Sequence, residues 1–175
     1  MRNLLVRVTA FLGMTAAASL AEAQTLRMMK SLDAPHYDGQ RTTWSPTSDI
    51  VNMFQDTLVA MDWDGKTPIP YLAKSWTVSP DGTLYTFKLR DDVQFCSGKK
   101  FTADDVVYSF KRLTSPELKA PLAWRAGNLK DIRATDPYTV EYQLAEPYAD
   151  LLLNLTMFTT AIHNKESVEA LGKDY

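Results

Sequence analysis

The chain has 175 residues, 19 basic and 21 acidic side chains, and a net charge of −2 at pH 7. So slight an acidic balance leaves no electrostatic footprint for nucleic acid and no basic amphipathic stretch for a membrane surface. The single cysteine, Cys96, excludes an intramolecular disulfide, so the fold has to rest on an ordinary hydrophobic core.

Residues 1–7, MRNLLVR, are basic; residues 8–20, VTAFLGMTAAASL, carry no charge; Ala21 and Ala23 then place small residues two apart. A basic start, a short apolar run and an A-x-A site read as a secretory signal peptide cleaved after Ala23, with Gln24 as the new N-terminus. The apolar run is shorter than the ~20 residues a membrane-spanning helix needs. No cysteine near the site can carry a lipid, so the expected product is periplasmic and not a lipoprotein. Removing residues 1–23 takes away Arg2, Arg7 and Glu22 and leaves the chain slightly more acidic.

Residues 25–31, TLRMMKS, form a short candidate strand, followed by a polar, turn-rich loop, LDAPHYDGQRTTWSP. Thr47 or Ser48 can cap a first helix, in which Ile50, Met53, Phe54, Thr57 and Leu58 fall at helical spacing. Asp64-Gly65 marks a turn, and Pro68 and Pro70 forbid helix. In TVSPDGTLYTFKLRDDVQF, Pro80, Asp81 and Gly82 suit a type I turn closed by a left-handed glycine. Beyond it Tyr85, Phe87 and Leu89 alternate with Leu84, Thr86, Lys88 and Arg90, which predicts a buried aromatic face and a wet basic one. Val93 and Phe95 continue the alternation, and Cys96 beside them reads as a buried or half-buried thiol, without a nearby histidine to activate it.

KKFTADDVVYSFKRL carries most signals of a helix start: Thr102 as N-cap, Asp105 as return partner, Phe101 and Val106 as a hydrophobic staple. Asp104 and Asp105 suit its positive end, Lys111 and Arg112 its negative end; Val106, Val107, Phe110 and Leu113 make its apolar stripe. Asp136-Pro137 turns a second hairpin in which Val140, Tyr142 and Leu144 face inward. Residues 148–158 read as a mostly buried helix, and residues 165–171 as a short one capped by Asn164 and ended by Gly172. Hairpin, helix, hairpin, helix is an α+β order.

The runs LAKSW, SPDGTLYTFKLRDDVQF and GKKFTADDVVYSFKRL resemble one block of the family 5 extracellular solute-binding proteins, the periplasmic receptors of peptide and nickel type ABC importers. The matching residues are Pro70, Leu72, Ala73, Ser75 and Trp76, then Asp81 and Gly82. Tyr85, Thr86, Phe87, Leu89 and Arg90 follow, then Val93, Phe95 and Gly98, and Thr102, Ala103, Asp105 and Val106. Cys96 and Ser97 stand where the family often has histidine and aspartate. The resemblance implies the N-terminal part of a type II-like (cluster C) periplasmic binding protein. Residues 24–61 would start the first main lobe and residues 62–175 would form its small inserted domain. Family members are about three times as long, so the rest of lobe one and all of lobe two would be missing from a truncated or partial chain.

The implied function is the substrate-binding component of an ABC importer for di- or oligopeptides, or a similar polar solute, working with membrane permease subunits and needing no cofactor. The family's cleft is lined by the loop after the first strand, which makes Tyr37, Thr42, Thr43 and Trp44 the candidate ligand-facing residues: hydroxyls and an aromatic wall, as a polar ligand needs. Trp44 could equally pack against the helix that starts near Thr47. His36 and Asp38 stand two apart and His163 is remote, with no nucleophile elbow and no second cluster at ligand spacing, so neither catalysis nor a metal site is expected. A secreted interaction or sensory module and a secreted hydrolase are the alternatives.

Overall fold

The computed structural model describes residues 34, 36–43 and 45–172. The segment read as a signal peptide, the strand expected over residues 25–31, and Trp44 lie outside the described residues.

The first helix, α1, spans Ser45–Val51. It starts before the expected caps, so Thr47 lies inside it, buried, with its hydroxyl donating to the carbonyl of His36 at 3.2 Å. It also stops early. Met53 and Phe54, expected on the buried stripe, are 64% and 56% exposed. A short helix has little stability of its own, and here extended pairing wins. Leu72 N donates to Thr57 O and Ala73 N to Leu58 O, which draws Leu58 and Val59 out of any helix and into the core.

β1, Val59–Met61, and β2, Pro68–Pro70, form an antiparallel ribbon with Val59 opposite Pro70 and Met61 opposite Pro68. The sequence reads only a turn here; two prolines are tolerated because a two-stranded ribbon has free edges. The Asp64 carboxylate organises the turn, accepting from the amides of Lys66 and Thr67 and from the Thr67 hydroxyl.

The main sheet has four antiparallel strands: β3, Ala73–Val78; β4, Leu84–Leu89; β5, Leu129–Asp136; and β6, Thr139–Leu144. Their order is β3-β4-β6-β5, two local hairpins joined through the central β4–β6 pairing, where Tyr85 faces Tyr142 and Phe87 faces Val140. The first turn is as the sequence implies. Gly82 N donates to Ser79 O, and Gly82 takes φ +69, a conformation that L side chains rarely adopt. Tyr85, Phe87 and Leu89 are buried and Lys88 is exposed.

Beyond β4 the expected strand through Val93 and Phe95 does not form. The Arg90 guanidinium bonds both oxygens of Asp92, Phe95 N donates to Lys99 O, and a single bridge joins Gln94 to Lys100. The chain therefore turns back on itself while Val93 and Phe95 still pack on the core. The same alternation turns Cys96 outward, so its thiol is exposed and not buried as expected.

α2, Ala103–Leu113, crosses the inner face of the sheet. Thr102 is its N-cap residue; its backbone N–H donates to Asp105 Oδ2 at 3.1 Å, the return half of a capping box. Phe101 and Val106 are both buried, as a staple requires. Ala103 N donates to Pro137 O, which pins the helix start to the second hairpin's turn. Phe110 meets Tyr142 edge-on at 5.1 Å, and Tyr142 in turn meets Phe87 at 6.4 Å. The Tyr142 hydroxyl donates to the Ala126 carbonyl at 2.6 Å, so its burial leaves the phenol satisfied; that burial pushes its pKa up.

The helix expected over residues 148–158 shrinks to α3, Leu151–Asn154, and a 3-10 turn at Phe158–Thr160. Met157 between them is extended. The hydroxyls of Thr156 and Thr160 donate to the carbonyls of Leu153 and Met157, the local competition by which threonines end helices. α4, Lys165–Leu171, is capped by the Asn164 side chain, which accepts from Ser167 N, and closes at Gly172.

Candidate functional site

Residues 36–43, HYDGQRTT, contain no aliphatic side chain. Their inward side chains are polar: Asp38, Gln40 and Thr42 are 0%, 1% and 5% exposed. Asp38 caps a 3-10 turn, Gly39–Arg41, by accepting from Gln40 N at 3.0 Å. Its carboxylate pairs with the guanidinium of Arg112 in the last turn of α2, Nη2 to Oδ2 and Nη1 to Oδ1. Burial raises the Asp38 pKa, but the hydrogen bond and charge of Arg112, with the Gln40 amide, outweigh it and hold the group below the ordinary carboxylate value.

Gln40 completes the clip. Its Oε1 accepts from Arg112 Nη1 at 2.6 Å, and its Nε2 donates to the Ser109 carbonyl at 3.0 Å. The Ser109 hydroxyl accepts from His163 N at 2.9 Å, so the network runs on to the segment after α3. His163 is buried beside it, and burial pushes its pKa down to about 4, against the opposing pull of Asp38. Gly39 lies so close to Phe158 that a Cβ would stand 3.1 Å from its carbonyl oxygen and 3.2 Å from its ring.

The outward side of the loop is different. Tyr37 is 58% exposed, its ring edge-on to Phe54 at 6.4 Å, and Gln55 Nε2 supports it by donating to the Tyr37 carbonyl. Thr43 is exposed. Of the four residues singled out from the sequence, Tyr37 and Thr43 point outward, Thr42 points in, and Trp44 lies outside the described residues. Phe54 also lines a cleft of about 150 Å³ with Leu72, Phe95, Cys96 and Ile162. Among the described residues no group of three or more His, Cys, Asp or Glu side chains could hold a metal ion. His36, paired with Asp38 in the sequence, accepts that residue's backbone N–H at 3.3 Å, while the Asp38 carboxylate pairs with Arg112 instead.

Sequence reasoning missed the clip. Arg112 reads from the sequence as a cation suiting a helix C-terminus; nothing local shows that it reaches a loop on the far side of α1 and two hairpins. The one available signal is Asp38 itself, an acid in a loop that also holds Gly39, where a buried carboxylate demands a cation.

The chain matches the family model for bacterial extracellular solute-binding proteins, family 5 (middle), over residues 67–174. It is 34% identical over 160 residues to di/tripeptide-binding protein 2 of Pseudomonas aeruginosa, covering 81% of this chain and 30% of that protein. It is 31% identical over 180 residues to the dipeptide-binding protein of Escherichia coli, covering 91% of this chain and 33% of that one. Among solved structures, the substrate-binding domain of an oligopeptide ABC transporter from Bacillus anthracis superposes with a TM-score of 0.80 at 28% identity, over 85% of this chain and 31% of that one. The chain thus spans about a third of the length of the proteins it matches.

Proposed function

The chain belongs to the family 5 bacterial extracellular solute-binding proteins, and from that premise we propose that it is part of a periplasmic receptor that delivers di- or oligopeptides to the permease of an ABC importer. The observation that carries the reading is the loop 36–43: a buried polar clip holds its back, and its front presents Tyr37 and Thr43 beside the exposed ring of Phe54. Hydroxyls and aromatic walls on a fixed backbone suit a ligand rich in amides. The names of the two curated relatives point to the same ligand class. We assign residues 24–61 to the first main lobe and residues 62–175 to its small inserted domain, with export directed by cleavage after Ala23. Tyr37, Thr43 and Trp44 remain the ligand-facing candidates, while Thr42, singled out with them for its hydroxyl, is buried.

A receptor of this kind holds its ligand between two walls, and each lost wall removes hydrogen bonds and buried area; about 1.4 kcal/mol is already tenfold in affinity. Calorimetry with trialanine is the test. The 175-residue chain is expected to bind weakly or not at all, and any longer product of the same reading frame to bind in the micromolar range. No heat from the longer product would overturn the reading. A second reading, an interaction module built on the small domain, is favoured by Trp63, whose side chain stands fully in solvent at the tip of the β1–β2 ribbon. Tight, saturable binding by the 175-residue chain alone would put that reading first.

A further inference from the structure

We infer that Arg112 is the positioning residue of the loop 36–43: by gripping Asp38 and Gln40 together, its guanidinium sets the course of the chain that carries Tyr37 and Thr43 outward. The inference rests on the reading of this loop as ligand-facing and deepens it. Nothing aliphatic in the loop anchors it, because its buried residues are Asp38, Gly39, Gln40 and Thr42. Its course therefore depends on directional bonds. One planar fork reaches three oxygens, both of the Asp38 carboxylate and Oε1 of Gln40, and the Gln40 amide returns to the Ser109 carbonyl one turn earlier on α2.

The loop is thus held to the helix at two heights, not at a single point, which fixes rotation as well as distance. A lysine at 112 would supply the charge without the fork. Tyr37 and Thr43 flank the clipped residues, so a change of clip moves both. A loop that samples several courses binds only in its competent fraction, and apparent affinity falls by that fraction. The loss appears in the association rate, since the bound contacts themselves are unchanged.

Two measurements test this. In amide hydrogen exchange on the 175-residue chain, Arg112→Lys and Arg112→Met should speed exchange in residues 37–42 and leave the amides of β4 and β6 unchanged. Exchange that rises equally in the sheet would reduce Arg112 to general support, and unchanged exchange in the loop would mean that other groups set its course; either result overturns the inference. If both variants fail to fold, the paired change Asp38→Asn with Arg112→Gln, which removes the charges and keeps amide partners, takes their place with the same expected pattern. In stopped-flow binding of trialanine to any longer product of the same reading frame, Arg112→Lys should slow association about tenfold with dissociation unchanged; a faster dissociation with normal association would sink the idea. If the unmodified product binds no tripeptide, the receptor reading fails while the exchange measurement still decides the positioning role.

Discussion

Phe87 touches most of what makes the small sheet a core. It is fully buried, stacked against Tyr85 at 6.2 Å, tilted against Trp76 at 6.4 Å and edge-on to Tyr142. Phe87→Ala should therefore cost about 3–5 kcal/mol in urea unfolding, the transfer loss plus the cavity. Its neighbour Lys88 faces solvent and donates one hydrogen bond to the Thr139 hydroxyl, so Lys88→Ala should stay within about 0.5 kcal/mol. Equal losses at the two positions would reverse the assigned faces of β4. His163 shows the opposite use of burial. Its folded pKa of about 4 lies below the ordinary histidine value of 6.5, because burial disfavours the imidazolium. Between those values the unfolded chain binds more protons, so stability is complete above about pH 6.5 and falls as the pH drops toward 4, by roughly 3 kcal/mol if His163 acts alone. Asp38, whose pKa is lowered, adds its own loss at still lower pH. His163→Gln should flatten the first part of the stability–pH curve; an unchanged slope would remove His163 as its source.

At the scale of the element, α2 is the part that local sequence specifies best. Its N-cap, staple and stripe all appear where the residues put them, because each depends on neighbours within five positions. What the sequence hides is the second load on Asp105. Besides Thr102 N, its fully buried carboxylate accepts from the Lys99 ammonium and from Lys165 N at 3.3 Å, so one side chain ties the helix start to the turn before it and to α4. Thr102→Ala should cost about 1 kcal/mol. Asp105→Ala should cost about 2–3 kcal/mol, since it leaves several donors without an acceptor. Equal losses in thermal or urea unfolding would mean that Asp105 serves the cap alone. The elements misjudged from sequence, α1 and the segment around α3, are those where apolar spacing suggested helix while long-range pairing or threonine hydroxyls took the backbone elsewhere.

For the whole molecule, legibility followed sequence distance. Both hairpins of the main sheet were readable because turn and strands are adjacent, and so was the α+β class, whereas the β1–β2 ribbon was read only as a turn. The family block was readable because its residues recur in fixed order. The clip around Asp38 was not, since its partners, Gln40 apart, lie about seventy positions along the chain and no periodicity connects them. The outward half of the candidate site, Tyr37 and Thr43, follows from the family's use of this loop and from side-chain chemistry, with no signal of its own in the spacing. The exposed ring of Phe54 beside Tyr37 emerged only when the first helix proved shorter than its spacing implied.

The strand order β3-β4-β6-β5 also sets a clock. Each hairpin can close by itself in microseconds, as hairpins do at roughly 1–10 μs. The β4–β6 seam cannot, because closing it means bringing together segments separated by the whole of α2 and its flanking loops, an entropic cost met before any of the central contacts reward it. The seam is then the late, slow event, and it is the one that brings Phe87 and Tyr142 together. Residues of the outer turns, already in place when the seam closes, should then act on the refolding rate, and Val140, which sits in the seam, should act more on how fast the finished sheet comes undone the later its contacts are made.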